Sequence, residues 1–114
     1  MSDLAKKKCI PCDGKIPGFD ITEIHKYLKM VDGWKVECDD SKIYYLIKEF
    51  KFKNFLESQN FINKVGDIAE SEGHHPDIWF GWGYAKIKIF THAINGLHES
   101  DFVLAAKIDK ISSV

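Results

Sequence analysis

The chain has 114 residues, of which 45% are hydrophobic, 29% charged and 13% aromatic, with a formal net charge of −1. This length suits one compact domain of about 100 to 150 residues and excludes a modular enzyme, and the composition requires neither disorder nor a membrane solution. All 16 cations are lysine, so the guanidinium forks that read guanine or grip phosphate are missing and direct nucleic-acid recognition is disfavoured.

The first eighteen residues read as a flexible leader, punctuated by Pro11, Gly14, Pro17 and Gly18, ahead of a single domain spanning 19–114. Lys6-Lys7-Lys8 is the one basic run and reads as a solvated tail. No apolar segment of secretory length follows it, and no run approaches the ~18 apolar residues of a membrane span, so the expected location is cytoplasmic. Three cysteines, an odd number, fit a reducing compartment. Cys9 and Cys12 form C-x-x-C, but a structural zinc site wants a second ligand pair and a redox motif wants a helix start after a buried strand. The sequence offers neither.

Asp20 with Glu23 has capping-box spacing, and Ile21, Ile24, Tyr27, Leu28 and Val31 recur at helical period until Gly33, which predicts a first helix. Trp34–Glu37 reads as a short strand, Asp39-Asp40-Ser41 as a turn and Ile43–Phe50 as a longer strand, together a hairpin. Asn54 with Glu57 repeats the capping signal. The stripe Phe55, Leu56, Phe61, Ile62, Val65, Ile68 and Ala69 predicts the longest helix, ending before Gly73. An aromatic patch, Trp79, Phe80 and Trp82, leads into Tyr84–Phe90, where Ala85, Ile87 and Ile89 alternate with Tyr84, Lys86 and Lys88. A last helix runs from Glu99 to Ile111. The order α-β-β-α-β-β-α predicts an α+β fold, a four-stranded antiparallel sheet with helices packed on one face.

Of five histidines, three bracket the second hairpin. His74-His75-Pro76 closes the loop after the long helix, and His92 follows the last strand. Pro76 biases His75 towards extended backbone, and in an antiparallel hairpin the start of one strand and the end of the next meet at one edge. His74, His75 and His92 are therefore expected to line one pocket. Imidazoles near pH 7 can accept and donate protons, and loss of water needs both: an acid for the departing hydroxyl and a base for the neighbouring proton. Glu70, one turn earlier, is placed to orient an imidazole, and the tryptophans offer flat faces to an aromatic substrate as an alternative to core packing. A three-histidine zinc site is the competing reading, weakened because adjacent residues in extended chain point apart. His25 and His98 read as structural, the latter at an N-cap, and Asp101 as an acid stabilising the helix dipole.

The pattern Ala69-Glu70, His74-His75-Pro76-Asp77, Trp79, Tyr84, Thr91-His92, Gly96-Leu97 and Asp101 through Ala105-Ala106 resembles the pterin-4a-carbinolamine dehydratase family. The likeness extends upstream to Gly33-Trp34, to Phe50-x-Phe52-x-x-Phe55 and to the Cys9-x-x-Cys12 leader. The resemblance implies dehydration of 4a-hydroxytetrahydrobiopterin to quinonoid dihydropterin, recycling the cofactor of aromatic amino acid hydroxylases. It implies no metal and no cofactor, the pterin being the substrate. It makes His74, His75 and His92 catalytic, with Glu70, Pro76, Trp79, Thr91 and Asp101 around the substrate, and implies a homodimer or homotetramer. His98, where the family usually has Thr or Ser, and Glu72-Gly73 ahead of the dyad depart from the usual run. Two other functions compete: a protein-interaction module of the kind that serves as dimerisation cofactor of a transcription factor, and a zinc-dependent hydrolase, disfavoured because no carboxylate or cysteine stands at zinc-motif spacing.

Overall fold

The computed structural model describes residues 4–7, 9 and 18–112. Cys12 and its pairing with Cys9, Lys8, and the punctuating Pro11, Gly14 and Pro17 lie outside the described residues. Three helices, α1 (Ile21–Leu28), α2 (Phe55–Glu72) and α3 (Glu99–Ser112), alternate with four strands, β1 (Lys35–Cys38), β2 (Tyr44–Lys51), β3 (Asp77–Gly81) and β4 (Tyr84–Ile89). The strands form one antiparallel sheet, as the α-β-β-α-β-β-α pattern predicts, and within it they lie in the order β1-β2-β4-β3.

The caps explain where α1 and α2 begin. Asp20 Oδ1 accepts the Glu23 N–H at 2.9 Å, and Asn54 Oδ1 accepts the Glu57 N–H at 2.9 Å. Glu57 reaches back to the N–H of Lys53 at 3.1 Å, one residue beyond the ordinary capping box. At the other end of α2, Gly73 takes φ +65°, its N–H bonds the Glu70 carbonyl, and the N–H of His74 bonds that of Ala69. This pairing closes the helix and sends the chain off at a fixed angle.

Three boundaries differ from the periodicity. The first helix ends at Leu28 rather than running to Gly33, because Met30 and Val31 donate to the carbonyls of Tyr27 and Leu28, three residues back, and the tightened chain leaves the helix. The apolar stripe of α2 begins at Ser58, not Phe55: Ser58, Phe61, Val65 and Ala69 are buried, while Phe55 and Leu56 are exposed. The strands shift by about a residue, ordinary fraying of their ends. Trp34 precedes β1 as a buried anchor.

One sheet face carries the core. Ala85, Ile87 and Ile89 on β4 and Leu46 and Phe50 on β2 are buried against Ile24, Val65, Phe102, Leu104 and Ile108. The alternation puts Tyr84, Lys86 and Lys88 on the opposite, open face. In α3 every residue from Asp101 to Ala106 is buried, so this helix has almost no wet side. Part of the reason lies in the leader. Leu4–Lys6 form a short 3-10 turn against α3, with Leu4 in the core, where the sequence predicts loose chain.

Candidate active site

Asp101 sits in the first turn of α3 and is fully buried. A carboxylate is an acceptor, and three donors converge on it. The backbone N–H of His98 and the Thr91 hydroxyl each reach Oδ2 at 2.8 Å, and His74 Nε2 reaches Oδ1 at 2.7 Å. The contact from His98 N–H is one half of a capping box with Asp in place of Glu. The other two join chain segments distant in sequence. With Asp101 accepting, Nε2 carries the hydrogen of this bond, and in the neutral ring Nδ1 has the lone pair.

The cap of α2 delivers His74. With the chain turned at Gly73 and His74 N–H bonded to the Ala69 carbonyl, the imidazole points back towards α3, its side chain only 15% exposed. His75 takes the other direction. Its Nε2 bonds Glu70 Oε1 at 2.8 Å, with both side chains exposed, 63% and 82%. Pro76, half-buried, immediately precedes β3. Asp77 faces Lys88 across the hairpin, so the start of β3 and the end of β4 lie at one edge as expected.

After β4, Thr91 pairs with Gly96 through backbone bonds in both directions, and Asn95 at φ +48° closes a tight loop around a 3-10 turn from His92 to Ile94. This loop puts the Thr91 hydroxyl inward on Asp101 and leaves His92 exposed, its ring 4.2 Å from that of Phe90. One carboxylate thus ties the loop that carries His74 to the loop that carries His92.

The predicted site residues therefore fall into three groups. His74, Thr91 and Asp101 are joined directly. His75 and Glu70 form a second pair at the surface, and His92 adjoins Thr91. Trp79, Phe80 and Trp82 do not build one aromatic platform. Trp79 stands on the open face, the Lys86 ammonium 5.2 Å from its ring; Phe80 turns to the helix side against Phe55 at 5.4 Å; Trp82 occupies the hairpin tip, 73% exposed, where Gly83 makes the turn at φ +79°. That tip is about 14 Å along the strand from Asp77. Among the described residues no three His, Cys, Asp or Glu side chains converge as a metal site requires. Spacing alone reads Asp101 as a dipole-stabilising acid and the resemblance puts it around the substrate, but neither gives its bonds to Thr91 and His74. The available signal was an Asp followed directly by Phe102 to Ala106, an acid at the head of a wholly apolar run.

Around this centre two groups titrate away from their ordinary values. The hydrogen bond from Lys7, opposed by desolvation and helped by the Tyr27 hydroxyl, holds the Glu99 carboxyl below its usual 4.5. Burial, with Glu72 close by, pushes the Cys9 thiol up to about 12. That thiol stays protonated at neutral pH and is no nucleophile.

With this geometry in place, comparisons with known proteins converge. A family profile described as pterin 4 alpha carbinolamine dehydratase matches residues 17–111. A protein of Alkaliphilus metalliredigens is 50% identical over 114 residues, covering 99% of each chain, and one of Rubrobacter xylanophilus is 47% identical over 111 residues, covering 97% of this chain and all of that one. Both are named, provisionally, as pterin-4-alpha-carbinolamine dehydratases. A crystal structure from Brucella melitensis, described as a transcriptional coactivator/pterin dehydratase, superposes with a TM-score of 0.73 at 28% identity, covering 82% of this chain and 97% of that one.

Proposed function

This chain belongs to the pterin-4a-carbinolamine dehydratase family, and we propose that it removes water from 4a-hydroxytetrahydrobiopterin to give quinonoid dihydropterin. The observation that carries this reading is the His74–Asp101–Thr91 cluster, whose one carboxylate ties together two histidine-bearing loops. The step needs one proton delivered to the departing hydroxyl and one removed from the adjacent nitrogen, and it is redox-neutral. With Nε2 fixed on Asp101, His74 offers Nδ1 for one of these transfers and His92 provides the other. His75, steadied by Glu70, binds and orients the pterin, with Pro76 and Trp79 beside it. The reaction so written calls for neither metal nor cofactor, and its product, once reduced by two electrons to the tetrahydropterin in a separate step, would serve aromatic amino acid hydroxylases again.

We place the protein in the cytoplasm; no helix among the described residues is long and apolar enough to cross a membrane. A homodimer or homotetramer is supported by β3, an edge strand whose exposed Phe80 packs on the exposed Phe55 of α2. The same apolar surface favours a second reading, a protein-interaction module acting as dimerisation cofactor of a transcription factor, which does not depend on the histidines.

The deciding experiment is a spectrophotometric dehydration assay with generated 4a-hydroxytetrahydrobiopterin on chelator-treated protein, beside His75→Ala and His92→Ala. Wild type should accelerate the reaction and both variants should lose most of that acceleration. Folded wild type that leaves the spontaneous rate unchanged overturns the enzymatic reading.

A further inference from the structure

α2 ends against a rule of helix electrostatics. Its last turn holds Glu70 and Glu72 and no basic residue, although carbonyls crowd that end and favour cations. Glu70 is answered by His75 at the surface. Glu72 is not: its side chain is only 9% exposed, and its partners come from elsewhere in the chain. The backbone N–H of Cys9 donates to Oε1 at 2.8 Å, and Lys107 Nζ of α3 stands 3.8 Å from Oε2. Lys107 in turn donates to the carbonyl of Ala5 at 2.8 Å. Broken local rules of this kind concentrate at functional or strained sites.

The leader's other anchors lie on the first turn of α3. Lys7 Nζ pairs with Glu99 Oε2 at 3.1 Å, and the Cys9 thiol reaches the Ser100 carbonyl at 3.5 Å. Glu72 lies two residues before His74, and Glu99 and Ser100 immediately precede Asp101. Between Glu72 and His74 stands only Gly73, in a left-handed conformation with open space around it.

We propose that Leu4, Ala5, Lys7 and Cys9 form a clasp that holds the end of α2 to the start of α3 and so sets the His74–Asp101 pair, with Glu72 and Lys107 as its positioning residues. The leader is then part of the active-site support. Its catalytic consequence rests on the dehydratase reading; its structural consequence does not.

The test follows two variants, Glu72→Ala and Lys107→Met, by kinetics and by NMR of the His74 ring N–H that bonds Asp101, in protein labelled with 15N-histidine. Both variants should lower kcat about tenfold with KM changed by less than about twofold, and the ring proton should broaden through exchange with water. Lys107→Arg should restore both. Lys48→Met, which loosens the far end of α3, should lower Tm while leaving kcat and the ring proton as in wild type. If Glu72→Ala does not fold, Lys107→Met decides alone, since methionine keeps the aliphatic stem. A ring proton as sharp in Lys107→Met as in wild type overturns the clasp, and does so even if the wild type proves to have no dehydratase activity.

Discussion

α3 carries two carboxylate hubs eight residues apart, and they differ in what they hold. Asp101 gathers His74, Thr91 and the N–H of His98. Asp109, about 12 Å further along the axis, gathers the indole N–H of Trp34 at 2.9 Å, the Lys48 ammonium at 2.8 Å and the N–H of Asp32 at 3.0 Å. Lys48 also reaches the Asp32 carbonyl and stands 4.7 Å from the Phe50 ring. The donors at Asp109 are an ammonium, an indole and a backbone N–H, none with a second ring nitrogen to offer, so that hub fixes shape, locking the α1–β1 connection and β2 to the helix. At Asp101 one donor is an imidazole with a second nitrogen in hand. The residue type is the same; the imidazole partner makes one hub a site, and its absence leaves the other a lock.

Exchanging each carboxylate for its nearest uncharged shape tests this contrast. Asp101→Asn should have the largest effect. The amide brings two hydrogens to a position already faced by three donors, and the His74 ring loses the acceptor that fixes its tautomer. We expect kcat to fall by roughly 10²-fold or more, measured in the dehydration assay, with the fold retained by circular dichroism. Asp109→Asn should do the reverse. Removing the charge that answers Lys48, and setting an amide NH2 where a donor already points, should lower stability by about 2 kcal/mol in urea titrations, with kcat unchanged. A large kcat loss from Asp109→Asn would dissolve the distinction between the two hubs.

A finer comparison lies between the two histidine–carboxylate pairs. His74–Asp101 is inside and His75–Glu70 is outside. An exposed pair contributes little, about 0 to 1 kcal/mol, so Glu70→Gln should change kcat/KM by less than about fivefold, mainly through KM. His75→Ala should cost far more, because it removes the ring rather than its support. Equal losses in the two variants would make Glu70 a participant in the proton transfers.

The two hubs were not equally legible in the sequence. The caps of α2, Asn54 and Gly73, could be read directly, because each acts through backbone groups a few residues away. The histidines of the site stood out by spacing, and the resemblance supplied their roles. The bonds to Asp101 did not, since Thr91 and His74 come to it through the sheet register and the end of α2, which no local rule encodes. The Asp109 lock has a trace in the sequence. Lys48 occupies an inward position between Leu46 and Phe50, and a lysine on an apolar face demands an anion. The leader was misjudged for a related reason: prolines and glycines describe the looseness of the chain around them, whereas a single buried Leu4 and the backbone groups of Ala5 and Cys9 make the contacts.

The smallest predicted effect concerns how the leader answers to acid, where the two ends of α3 should separate again. Lys7's hydrogen bond holds Glu99 below its ordinary 4.5, so the folded state binds this proton less readily than the unfolded chain. The stabilisation from the contact is therefore fully present above about 4.5 and is lost as pH falls through the lower, folded value. Because Lys7 and Glu99 are partly exposed, 53% and 28%, the amount is below about 1 kcal/mol and weakens with salt. The measurement is the unfolding free energy of wild type and Glu99→Gln from pH 7 to pH 3.5. The gap between them should be constant down to about 4.5 and close below it, and amide exchange in residues 4–7 and 9 should rise over the same interval while the N–H of Asp32, held by Asp109, stays protected. A gap that persists unchanged to the lowest pH would mean that Lys7 does not pair with Glu99 in solution and that the clasp is held by Glu72 and Lys107 alone.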